Sequence, residues 1–275
     1  VTGTLDGPRA KIQRAEKHIH CLQGEITRFH ESDPYGVSVG VEAESGDRVW
    51  SVTKMTPPPQ EFALVAGDAI HNLRSALDLV FCQLVIANGK QVDGRDSYPV
   101  CASPKEFGVA ADQLGRKKRV SADALAAIRS TRPHKAGNDA IWRLHRLDIA
   151  DKHRELFIVG AAFRSFHLPA LKIPGFPERH LPLMAKALSQ AAFRPADRHF
   201  PLKVGDSLFR VPADLENYNP PKFNFEVAFG QGEIVEGVSV LECLGNLRSE
   251  TEKVVEHFEQ LVCPGASPSG RRGTD

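Results

Sequence analysis

A chain of 275 residues, 41% hydrophobic and 25% charged, can bury a sizeable core and does not have the composition of a disordered segment. A formal net charge of +1 excludes a global electrostatic grip on nucleic acid and leaves room only for local basic patches. No apolar run approaches the ~18 residues expected of a membrane span. The opening "VTGTLDGPRAK" also lacks the charged-then-apolar order of a signal segment, so the expectation is a cytoplasmic protein with no membrane partner.

Ala10, Ile12, Ala15, Ile19, Leu22, Ile26 and Phe29 recur at three-four spacing, which predicts an amphipathic helix over 7–30. "HESDPYG" breaks it. Alternation on both sides of Ser45-Gly46-Asp47 predicts a β-hairpin at about 36–54. The rigid "TPPPQ" leads into a second helix over 61–88 with Gly89 as its stop. A loop-rich stretch containing "GRKKRV" follows to Val120, then a short helix capped by Ser121. Another helix is expected over 138–158.

Prolines are dense from 163 to 220, predicting loops, short strands and one short helix near 181–192. "KFNFEVAF" alternates as a strand, a turn is expected at Gly230 to Gly232, and "SVLECLGNLRSETEKVVEHFEQLV" forms a closing amphipathic helix. The tail from 264 to 275 is expected to be disordered. The fold class is therefore α+β: a mainly helical bundle with an N-terminal β-hairpin and further antiparallel strands near the C-terminal third, as one domain over 1–263. Cys21, Cys82, Cys101, Cys243 and Cys263 include no C-x-x-C pair and are expected to be reduced thiols.

The chemistry concentrates in "GDAIHNLRSALD". At about 100° per residue, Phe62, Ala66, Ala69, Ile70, Leu73, Ala76, Leu77, Val80 and Leu84 share one face of the second helix. Asp68, His71, Arg74, Ser75 and Asp78 fall on the other, with Asn72 beside them. A solvated face normally carries Lys, Glu and Gln, whereas short polar residues are poor helix formers. The bland reading is a solvated face with an i,i+4 pair from Arg74 to Asp78; otherwise the stripe is a polar network shared with a facing helix or a working site.

In "WRLHRLDIADKHR", Asp148 and Asp151 lie beside Leu144 and Leu147, and His145 is three residues from Asp148. Carboxylates drawn toward apolar surroundings need a cation or a metal, and Arg74 is the expected partner. Arg143, Arg146, His153 and Arg154 fill another sector of that helix.

"AEKHIHCLQGEI", "PYGV", "HNLRSALD", "DKHR" and "LECLGNLRSETEKVVEHF" resemble a family of uncharacterised bacterial proteins common in actinobacteria. The chain also resembles the HEPN superfamily, compact helical proteins of defence and toxin systems. Their hallmark is Arg, four to six residues, then His, at a dimer interface. That resemblance implies a metal-independent protein directed at RNA or nucleotide, working as a homodimer without a cofactor. The Arg would hold phosphate and the His would move protons. Arg74 fits the first place, but after four intervening residues stands Leu79, on the polar side of the helix. Either the activity is lost, or His71 or His153 serves instead, with Asp78 as a companion. Arg146 and His153 offer a second Arg-to-His spacing. Asn72, Arg143, Arg146 and Arg154 would contact substrate, Arg116 to Arg119 would steer the strand, and Trp142 would stack bases.

Two alternatives stand beside this reading. A divalent metal ion held between the helices by Asp68, His71, His145, Asp148 and Asp151 would make a hydrolase. A non-enzymatic regulatory or partner-binding module would use the stripe for helix packing.

Overall fold

The computed structural model describes residues 3–153, 156, 158–167, 192–193, 201–211, 213, 222–230 and 234–263. Within them the helices are α1 (Asp6–Glu31), α2 (Glu61–Ala87), α3 (Pro104–Lys117), α4 (Ala122–Ser130), α5 (Asp139–His153), α6 (Val240–His257) and α7 (Glu259–Val262). The strands are β1 (Tyr35–Val41), β2 (Arg48–Met55), β3 (Ile158–His167), β4 (Ala192–Phe193), β5 (Ser207–Val211) and β6 (Lys222–Phe229). The fold is α+β and mainly helical, with antiparallel strands in two small sheets. The helix expected near 181–192 and the tail lie outside the described residues, apart from the short strand β4.

The chain forms two compact units. The first comprises Val1–Gln23, Ala63–Leu156 and Leu241–Asp275, and its core is helical. The face predicted for α2 is buried throughout, from Phe62 to Leu84. Phe81 and Val85 are buried as well, so α2 is enclosed on more than one side. By length and composition α2 is apolar enough to cross a membrane, contrary to the expectation from the sequence, because its few charges are widely spaced. In this fold 56% of the relevant window is buried, as in a core helix.

The loop-rich stretch before Val120 holds a helix after Ser103. Pro104 opens α3, and Ser103 caps it: its Oγ accepts from the Glu106 backbone N–H and donates to Glu106 Oε1 at 3.1 Å. Gly108 and Gly115 inside α3 weaken its propensity, which hides it from a periodicity reading. Arg116 and Lys117 occupy its last turn, where cations oppose the negative end of the helix dipole. Arg119 turns back to pair with Asp96 and donates to the Gln91 carbonyl at 2.9 Å. The basic run thus finishes a helix and pins a loop.

The second unit comprises Gly24–Phe62 and Phe157–Val240. One sheet has the order β1-β2-β5 and the other β4-β3-β6. Val52, Leu202 and Leu208 form a buried cluster flanked by Tyr35, Val37, Phe223 and Phe225. Phe29 meets Tyr35 and Phe62 edge to face at 6.0 and 5.7 Å. The helix expected to reach 158 is described as far as His153 and has ended by Leu156, and Ile158 opens β3, opposite Phe229 of β6. "FIVGAAF" suits either state, and pairing with β6 decides it.

Replacing Ser103 with alanine removes a cap on α3 and should lower unfolding free energy by about 1 kcal/mol, measured by urea denaturation of the intact chain.

Candidate functional site

α2 and α5 lie antiparallel within the first unit, and two contacts connect them. In the first, the Asp151 carboxyl rests on the backbone of Gly67, so closely that a Cβ at Gly67 would stand 2.8 Å from Asp151 Cγ. Only glycine leaves that space. In the second, His71 Nδ1 lies 3.0 Å from Asp148 Oδ1. One turn further along α2, the Arg74 charge helps depress the His145 imidazole.

Asp148 is the centre of this arrangement. Its side chain is 5% exposed, and Lys152, one turn on along α5, donates to its second oxygen at 2.6 Å. Both oxygens of a buried carboxylate therefore meet donors, as burial demands. The expected Arg74–Asp148 pair does not form. Arg74, with 7% of its side chain exposed, instead meets Asp78 Oδ1 at 2.9 Å and donates to the Tyr98 carbonyl at 3.0 Å. The Tyr98 backbone N–H donates to the same Asp78 oxygen at 2.9 Å, and the Tyr98 hydroxyl meets Thr131 Oγ1 at 2.7 Å. Arg74 thus fastens the loop after α2 to α2 itself. Nη1 of the same guanidinium is buried and has no hydrogen-bond partner among the described residues.

The titratable groups follow from this burial. Desolvation pushes His145 down to about 4, Arg74 adding to the effect and Asp148 opposing it. Burial raises the Asp78 carboxyl, against the pull of Arg74 and the Tyr98 N–H. Burial also raises Asp151, with Asp148 and Asp68 acting in the same direction.

The remaining candidates divide. Asp68 is exposed. Asn72 donates to the Asp68 carbonyl at 2.8 Å and accepts from Lys11 of α1 at 3.3 Å, so it is committed to helix packing. Arg143 pairs with Asp139 on its own helix at 3.3 Å, and Arg146 is exposed. His153 ends α5 with its side chain outside the described residues, as is all of Arg154. Trp142 is buried, with the Lys135 ammonium 5.0 Å from its ring centroid, so it is no open platform for a base. Leu79 has a structural explanation: its Cδ1 lies 3.7 Å from where a Cβ on Gly7 of α1 would stand. Among the described residues, no group of three or more His, Cys, Asp or Glu side chains is placed to hold a metal ion.

Lys152 and Gly67 are site residues that the sequence reading passed over. The Asp148–Lys152 spacing of four, acid before base, was a usable signal. Nothing in sequence pointed to Tyr98, which meets Arg74 and Asp78 through its backbone. No protein-family model matches the chain, and neither a curated protein nor a solved structure matches it.

Arg74→Ala would leave the Asp78 carboxyl half-buried without its cation, and should cost on the order of 3 kcal/mol of unfolding free energy in urea denaturation. A second outcome concerns pH. His145 binds its proton only near 4 when folded, against an ordinary 6.5, so the unfolded chain protonates first as pH falls. Stability is therefore fully present above 6.5 and is lost as pH drops toward 4. In His145→Asn, the stability difference between about pH 7 and about pH 4.5 should shrink. Asp78 and Asp151 contribute the opposite slope, losing stability as pH rises above 3.8 toward their raised values. Both are present in the two proteins, so the comparison isolates His145.

Proposed function

We propose that the chain is an RNA- or nucleotide-directed protein of the HEPN type in which His71 moves the proton and Asp148 orients it. One observation carries this reading: a half-exposed imidazole (51% of the His71 side chain) is held through Nδ1 by a buried carboxylate. A neutral imidazole donating Nδ1–H to a carboxylate keeps its Nε2 lone pair for a substrate proton. Lys152, on the far oxygen of Asp148, is itself about half exposed. With the exposed Arg146 it supplies positive charge for a phosphate approaching this face. The reaction class is metal-independent cleavage of a phosphodiester or phosphate anhydride. Arg74 then has a different role from the one the HEPN resemblance implies. It is a positioning residue, fixing α2 and the Tyr98 loop so that His71 keeps its place.

A partner-binding module is the second reading, and the internal Arg74–Asp78–Tyr98 network favours it, together with the burial of Trp142. Base stacking on aromatic side chains is a main source of single-strand affinity, and Trp142 does not offer it. The divalent-metal alternative rests on the His71–Asp148 pair alone.

A labelled RNA pool and a set of nucleoside triphosphates incubated with the intact chain in EDTA separate these readings. Cleavage should fall by about 100-fold or more in His71→Ala, the range for losing a general acid or base, and also in Asp148→Asn. Cleavage that persists in His71→Ala would refute the assignment. Complete inertness of the parent protein would leave the binding module as the better account.

A further inference from the structure

We infer that β1 is a self-pairing edge, through which two copies of this chain join their β1-β2-β5 sheets into one six-stranded antiparallel sheet. The inference is independent of the proposed chemistry. Among the described residues β1 has a strand on one side only, β2. Val37 to Val41 keep regular register with Val52 to Arg48, and the irregularity at Gly36/Val37 lies at the start of the strand. Ser38 to Val41 are exposed on both faces of the strand.

Natural edges are normally blunted by charge, proline or a central bulge. "VSVGV" has none of these, although β1 is the sheet's most exposed strand.

The occupant follows from the segment's symmetry. In a two-fold antiparallel pairing centred on Val39, Val39 meets Val39 of the second copy, Val37 meets Val41 and Ser38 meets Gly40. Every valine faces a valine and every small residue a small one, and no charge opposes its like. An isologous contact requires such a self-complementary patch. The apolar layer also continues across the join. Val39 stands opposite Trp50, which stands opposite Phe209. Trp50 is buried, while Val39 and Val41 are 52% and 71% exposed. A second β1 would extend that layer over the two exposed valines. One five-residue strand pair buries less than the ~1,200 Å² of a stable interface, so the dimer is weak and concentration-dependent.

Sedimentation of the full chain tests this. The apparent mass should rise toward twice that of the chain as concentration increases from about 1 μM to a few hundred μM, as expected for a small interface. Val39→Lys sets two ammonium groups directly opposite one another and should abolish the rise. The same charge at Val204, equally exposed outside the strand, should leave it intact. With Cys21, the exposed native thiol, replaced by serine, Val39→Cys should form a disulfide-linked dimer under mild oxidation. Directly opposed strand residues fall within the Cα separation a disulfide spans. A mass that stays monomeric throughout, or self-association indifferent to Val39→Lys, overturns the proposal. Circular dichroism matching the parent confirms that each variant is folded.

Discussion

Burying the Asp148 carboxylate is the constraint around which the helical unit is organised. An ionised carboxylate inside a fold is tolerated only when both oxygens find donors and a counter-charge is close. Here Lys152 comes from the same helix and His71 from across the α2/α5 interface. The second contact fixes the rotation and register of α5 against α2, since sliding by one residue would aim Asp148 at apolar surface. Gly67 permits the close approach that brings Asp151 onto the α2 backbone one turn away. Further along α2, Arg74 Nη2 meets Asp78 and the Tyr98 carbonyl, and Asp78 accepts from the Tyr98 N–H.

This division gives the polar residues unequal prospects. Arg74 is enclosed and directed at Asp78 and the Tyr98 carbonyl. His71 is anchored at Nδ1 and keeps about half of its side chain exposed. The Arg-then-His pattern of the HEPN resemblance leads toward Arg74 as the phosphate ligand and toward position 79 for the histidine. Leu79 packs near Gly7, and the exposed cations lie on α5.

The sheet unit rests on different physics. Its interior is an aromatic and aliphatic cluster around Val52, Leu202 and Leu208, and its hairpin is closed by the Arg210 guanidinium gripping Glu42 and Asp47. That grip holds the Glu42 carboxyl down to about 2. Exposed valines on β1 sit at the rim of an otherwise well-covered layer.

Period and punctuation made much of this legible beforehand. The hairpin, α1, α2, α4, the "KFNFEVAF" strand and the closing helix follow from local pattern, because side-chain periodicity is set by backbone geometry alone. So does the identity of the buried α2 face, and so does the observation that α2 and α5 carry an unusual set of acids, imidazoles and guanidinia. Local pattern failed where it was locally ambiguous. α3 contains two glycines, and the chain after His153 could extend a helix or begin a strand. The i,i+4 pairs were legible from spacing, but the choice among the acids open to Arg74, and the pairing of Asp148 with His71, were decided only in three dimensions. Arg74 had two acids within plausible reach, and the choice of Asp78 depends on the Tyr98 backbone, 24 residues away in the chain. Electrostatic partnership depends on distance and desolvation, and neither quantity exists until the helices have packed.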